Sequence, residues 1–269
     1  MLICATCGVE YDEPVPAVCP ICADERQWVP AAGQQWTSLD ALSESGQRLR
    51  WSPVERGRVQ ICTEPAVGIG QTAQLISTPS GSLLWDPTGY VDAGTVELVL
   101  EQGPVLAVAA SHPHMFGVQS AWADALDAPV LVCAADEQWL GRRSSRIQFW
   151  QDTFKVAPGL RLHRIGGHFP GAAVAYWTEG AEGRGVLLSA DTVFPNPDRA
   201  TVGFMRSYPN KLPLSGQVVR RIADQLAELS FDAIVGNFGN AITTGAAEAV
   251  QRSAQRHIEW VRGDYDHLT

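Results

Sequence analysis

Ser111-His112-Pro113-His114-Met115-Phe116-Gly117 sets two imidazoles one residue apart in a tight turn. Neutral histidine nitrogens this close in sequence can reach one cation, and they suit zinc or iron. No acidic residue and no third histidine follow, so the loop carries no side chain for a second cation. Two later segments add to it. Gly166-Gly167-His168-Phe169-Pro170-Gly171 puts a histidine in a glycine-flanked turn after an apolar stretch, and Ser189-Ala190-Asp191-Thr192 puts a carboxylate directly after Val186-Leu187-Leu188. A lone histidine is usually a satisfied polar residue. Three in glycine-rich turns behind strand-like runs point to a metal site with His112, His114, His168 and Asp191 as donors.

In this order and with these flanks the three segments resemble the metallo-β-lactamase-fold superfamily. Its pattern runs His-x-His-x-Asp-His, then Gly-His-x-x-Gly, then Gly-Asp after a strand, and a final Gly-His. Asp86, in Leu83-Leu84-Trp85-Asp86-Pro87, is similar to the aspartate that ends an early strand there. The resemblance spans roughly residues 55 to 262 and implies an αββα sandwich, with Asp86 hydrogen bonding to the metal loop. Phe116 and Gly117 stand where the family has Asp and His, and Phe238 stands where the late His would fall. Every ligand belonging to a second metal alone is missing. The expected centre therefore holds one cation.

Residues 1–36 read as a separate module. Cys4-x2-Cys7-Gly8 and Cys19-Pro20-x-Cys22 form two knuckles, and Gly8 permits the turn that points amides at sulfur. So short a segment buries too little surface to fold alone, and a Cys4 metal centre would supply the missing stability. The wording resembles rubredoxin-type and zinc-ribbon modules. Zinc is the first expectation for both centres and iron the second, since either cation accepts such donors. Residues 37–54 turn polar and read as a short helix or linker; residues 55–269 form the main domain.

The whole chain has 269 residues, 45% of them hydrophobic and 18% charged, enough for one large globular domain and an appendage. A net charge of −9 argues against a nucleic-acid surface. No apolar run reaches the roughly 18 to 20 residues of a spanning helix, and the N-terminus opens on a cysteine motif instead of a signal peptide. These features suggest a cytoplasmic protein without membrane contact. Four of the six cysteines are in Cys-x-x-Cys pairs, which read as metal ligands in a reducing compartment; Cys62 and Cys133 read as small core residues.

Within the main domain, short apolar runs bounded by Gly, Pro or Asp predict strands at residues 75–78, 83–86, 105–108, 130–133, 160–165, 174–177, 186–188 and 233–235. Apolar stripes predict helices over 216–229 and 245–262, the latter capped by Thr244. The pattern is α/β, with helices outside two sheets.

Three functions follow as expectations. The first is a hydrolase of a small ester, thioester, lactone or amide, in which a single cation activates water and Asp191 orients it or takes its proton. Tyr208 could donate a proton or bind an oxyanion, while Arg206 or Lys211 could take a substrate carboxylate. Trp122, Phe116, Phe169 and Phe238 would make the mouth apolar, favouring a small organic substrate. The second resembles the superfamily's persulfide dioxygenases, with iron held by His112, His168 and Asp191. The third is a metal-stabilised scaffold whose Cys4 module meets a protein partner or a second copy of the chain.

Overall fold

The computed structural model describes residues 1–269. Two sheets face each other. One has seven strands in the order Ile147–Trp150, Val130–Cys133, Val105–Ala109, Gly81–Trp85, Ala73–Thr78, Arg58–Glu64, Arg48–Glu55. The other has six, in the order Thr153–Ala157, Leu160–Arg164, Ala173–Trp177, Val186–Leu188, Ala233–Val235, Ala241–Ile242. Each apolar run read as a strand lies in one of them.

Alternation along the strands divides the core into layers. Leu83, Trp85, Ala107, Ala109, Leu131 and Cys133 point between the sheets, where they meet Leu160, Leu162, Trp177 and Val235. Leu84, Val108, Val130 and Val132 point outward instead, against Trp122 and Leu126 of helix Gln119–Leu126 and Val99 of helix Ala93–Glu101. These two helices connect strands that pair in parallel, a connection that requires a crossover. On the far side, Val219, Ile222, Ala223 and Leu226 of helix Gly216–Ala227 recur at helical spacing and pack with helix Ala246–Arg262. The layers form an αββα sandwich.

Two local expectations need correction. Thr244 does not cap the last helix: its start is Gly245, at a left-handed φ of 66°, and Asp232 Oδ1 accepts the Gly245 amide at 2.7 Å. The polar stretch before residue 55 holds the short helix Leu39–Glu44, but it also contains strand Arg48–Glu55, paired antiparallel with Arg58–Glu64. The first half of Arg48–Glu55 alternates Arg48-Leu49-Arg50-Trp51, with Leu49 and Trp51 packed against the core, and the outward charges protect the edge from pairing with another chain.

The N-terminal segment forms a three-stranded sheet ordered Glu10–Tyr11, Leu2–Cys4, Trp36–Thr37. It packs on the outer helical layer, so that Ile3, Ile21 and the four cysteines share one apolar cluster with Leu75, Leu84 and Trp122. The approach is backbone to backbone. A Cβ on Gly68, at φ 59°, would stand 2.5 Å from the Cys7 carbonyl carbon. Gly68→Ala is therefore expected to destabilise the chain by about 2–4 kcal/mol, through steric overlap and left-handed strain. Urea unfolding checks this, and an unchanged midpoint would contradict the close docking.

Candidate metal centre

The chemistry sits along one edge of the sandwich, in the loops that leave the strands. Asp86 follows Gly81–Trp85, His112 and His114 follow Val105–Ala109, and Asp136 follows Val130–Cys133. His168 follows Leu160–Arg164, Asp191 follows Val186–Leu188, and Asn237 follows Ala233–Val235. Loops free of ladder hydrogen bonds can turn side chains inward while the rigid strand ends hold their positions.

His112, His114, His168 and Asp191 converge, all four buried. His168 Nε2 lies 3.2 Å from His114 Nδ1, and Asp191 Oδ2 lies 3.5 Å from His112 Nε2 and 3.6 Å from His168 Nε2. Around a cation with bonds of about 2.0–2.1 Å, tetrahedral donors stand about 3.3–3.4 Å apart. The spacing therefore fits one zinc- or iron-sized cation. His112 Nε2 is buried without a hydrogen bond, as a donor atom reserved for a metal should be. Burial holds His168 down to about 3 and His114 well below the ordinary imidazole value, so their lone pairs stay available. Burial pushes the Asp191 carboxyl up, but His112 and His168 beside it hold it below the ordinary carboxylate range.

A supporting layer orients these donors. Ser111 Oγ lies 2.9 Å from His112 Nδ1, which leaves Nε2 facing inward, and the Ser111 amide donates to Asp86 Oδ1 at 2.7 Å. Asp86 thus has the supporting geometry anticipated for it, in a buried setting that pushes its pKa up to about 7. His168 Nδ1 lies 3.0 Å from the Met205 carbonyl and donates to it. Phe169 touches all three imidazoles, with ring centroids 5.6, 4.9 and 5.2 Å from His112, His114 and His168. Partners of this kind typically contribute 10–100-fold to metal affinity. Ser111→Ala is expected to weaken the main centre by that factor in chelator competition; unaltered affinity would leave His112 oriented by packing alone.

Tyr208 is placed differently from an acid or an oxyanion donor. Its hydroxyl lies 3.2 Å from the Asp191 carbonyl and 3.1 Å from that of Gly203, and burial raises its pKa well above the ordinary phenol value. A hydroxyl engaged with backbone carbonyls ties the Asp191 turn to the covering loop. Arg206 is also committed, to Glu25, and Lys211 is exposed.

On the side where a second cation would lie, donors are replaced by packing. Phe116 is buried between the N-terminal module and the outer helices, as is Trp122, so neither lines a mouth. At Gly117, φ 51°, a Cβ would fall 2.3 Å from the Pro87 carbonyl oxygen, while the Gly117 carbonyl accepts the Glu10 amide at 3.0 Å. The inward residue of the last loop is Asn237, whose Nδ2 lies 2.8 Å from Met115 Sδ; Phe238 is 42% exposed at the rim.

The second cluster is the Cys4 site. Cys4 and Cys22 sulfurs lie 3.7 Å apart, as do those of Cys7 and Cys19. Tetrahedral thiolates at about 2.3 Å from a cation stand about 3.8 Å apart. Gln34 Nε2 donates to Cys4 Sγ at 3.2 Å, and the Tyr11 hydroxyl lies 3.1 Å from Cys19 Sγ, which suits anionic sulfur.

The two centres are joined through residues whose charges, in the sequence, look solvated. Glu10 is buried and accepts the amides of Ser120 and Ala121, capping helix Gln119–Leu126, whose own N-cap residue, Val118, has no side-chain cap. Arg142 pairs with it at 3.1 Å. After Cys22, the segment 24–27 lies against the loop 205–210: Arg206 pairs with Glu25, Ser207 Oγ donates to the Arg26 carbonyl, and Asn210 donates to the carbonyls of Glu25 and Gln27.

The chain is 40% identical over 269 residues to the uncharacterized protein YmaE of Bacillus subtilis (strain 168), covering 98% of both chains. Among solved structures, VMB-1 superposes with a TM-score of 0.59 at 12% identity, over 79% of this chain and 98% of that one. The metallo-β-lactamase FIM-1 from Pseudomonas aeruginosa, in its mono-zinc form, gives 0.52 at 13% identity, over 77% and 96%. The chain belongs to the family of YmaE and has the metallo-β-lactamase fold. No protein-family model matches it. In this YmaE relative the fold keeps the strand-end loops at one edge, while the Cys4 module covers the outer helical layer. No helix is long and apolar enough to cross a membrane.

Proposed function

We propose that the protein is a metal-dependent hydrolase of a small ester, thioester, lactone or amide, working with one cation at the main centre. The carrying observation is the convergence of three imidazole nitrogens and one carboxylate oxygen at tetrahedral spacing, with no donors at the adjacent positions Met115, Phe116 and Gly117. A bound cation supplies Lewis acidity, polarising a carbonyl and lowering the pKa of water. The remaining steps belong to the chain. Three imidazoles as ligands leave a position open, and Asp191, whose Oδ1 is buried and unbonded, can face that position to orient a water and take its proton. Ser111 and the Met205 carbonyl keep the imidazoles aligned, Phe169 excludes bulk water, and Tyr208 keeps the Asp191 turn in place. Zinc is the proposed cation in both centres, iron the alternative.

His114, a third imidazole in the cluster, speaks against an iron dioxygenase, whose donor set is two histidines and one carboxylate. The burial of all four donors is what would favour a scaffold. Elemental analysis of protein purified without added metal, paired with a panel of 4-nitrophenyl ester, thioester, lactone and amide substrates, tests the three readings. About two zinc ions per chain with turnover on one class is the expected result. Iron with oxygen uptake on a persulfide would replace hydrolysis by the dioxygenase. A filled main centre with no turnover would leave the scaffold.

A further inference from the structure

The buried side chain that stands out beside the main centre comes from the Cys4 module. The Arg26 side chain is 6% exposed, and its guanidinium carbon sits 3.9 Å from the Phe169 ring centroid, on the ring that touches all three histidines. Trp139 flanks it at 5.5 Å. No hydrogen bond reaches this guanidinium. Nε and Nη1 are both buried and unbonded; Asp24 Oδ1, 3.2 Å from Nη1, balances charge but is out of line for a hydrogen bond. Asp136, the other acid nearby, spends Oδ1 on the Gly171 amide and leaves Oδ2 unbonded. Buried donors left unsatisfied are costly, and those of a charged group most of all. An arginine over an aromatic ring, ion-paired at one nitrogen but with Nε and Nη1 lacking hydrogen bonds, has donors to offer a carboxylate.

We propose that Arg26 is a substrate-binding residue of the main centre, the anchor for a carboxylate carried by the small ester, thioester, lactone or amide. The inference rests on the hydrolase reading for its substrate class. It also makes the Cys4 module part of the binding site, because the metal knuckle fixes the backbone just before Arg26 and the contacts of Glu25 and Asn210 hold the segment around it. The carboxylate site expected at Arg206 or Lys211 moves to a buried residue from the opposite end of the chain. Phe169 and Trp139 would pack an apolar body next to the anchored group.

Titration calorimetry on the metal-loaded full chain tests this, with sodium benzoate as probe and benzamide as its neutral counterpart. Wild-type protein is expected to bind benzoate at least tenfold more tightly than benzamide. Arg26→Gln is expected to erase that preference at unchanged metal content, and Arg26→Lys, which keeps charge but loses the fork, to retain part of it. No preference in the wild type, or an equal one in Arg26→Gln, would overturn the anchor and assign the free donors to ordered water. If Arg26→Gln does not fold, bromide-soaked wild-type crystals decide: an anomalous peak at the guanidinium supports the anchor, and bromide only elsewhere refutes it. The measurement needs no turnover. A chain that prefers benzoate but hydrolyses nothing loses the hydrolase reading alone, whereas one that hydrolyses neutral esters without the preference loses only the anchor.

Discussion

His168→Ala is expected to reduce the metal content from two ions per chain to one and to lower hydrolysis by at least about a thousandfold. The substitution takes one donor from a set of four and removes the ring whose Nδ1 is tied to Met205, so the covering loop loses a contact as well. A catalytic cation contributes several kcal/mol to the barrier, and each ~1.4 kcal/mol is a factor of ten in rate. Inductively coupled plasma mass spectrometry on wild type and variant, with kcat/KM from the responsive substrate, measures both effects. Asp191→Asn should separate them in part, because it keeps the shape but removes the negative charge and the proton acceptor. Unchanged metal content in His168→Ala would disprove the main centre as drawn.

Cys22→Ser is expected to lower the thermal midpoint by about 10 °C or more and to disturb the main centre from a distance. A structural Cys4 site contributes roughly 10–16 kcal/mol of metal-binding free energy, against roughly 5–15 kcal/mol for a whole domain. At roughly 2–4 °C per kcal/mol for a chain of this size, losing even part of that is a large shift. The disturbance should spread because Glu10 caps the helix that follows the His112–His114 loop. Hydrogen exchange would locate it. Faster exchange at residues 118–126 as well as 1–36 is expected; faster exchange confined to 1–36 would mean that the module melts independently.

The buried strands were legible because hydrophobic runs bounded by turn residues report burial directly, as at residues 83–86 and 130–133. Arg48–Glu55 and Arg58–Glu64 were not, because their apolar residues are interrupted by polar ones, as in Arg48-Leu49-Arg50-Trp51, and form no continuous run. Asn237 illustrates the same limit within the site. Adjacent positions in a loop point in different directions, and only the path of the chain after Val235 turns the amide inward and Phe238 outward. Glu10 and Arg26 sit in stretches that look like solvated charge. Their partners, the Ser120 amide and Phe169, are more than a hundred residues away in sequence.

By itself the sequence determined that this chain carries a Cys4 module and one set of main-site donors, because ligand type and spacing are local properties written into short segments. It also determined that the second cation's donors are absent. Why they are absent was decided by the tertiary structure. Phe116 and Gly117, at the positions that would serve a second cation, are the surface on which the N-terminal module docks: one is buried against it and the other gives its carbonyl to Glu10. At 117, in addition, a Cβ would fall 2.3 Å from the Pro87 carbonyl oxygen, so the fold leaves no room there for a ligand-bearing side chain. Docking is a long-range contact between residues far apart in the chain, and no local pattern could announce it.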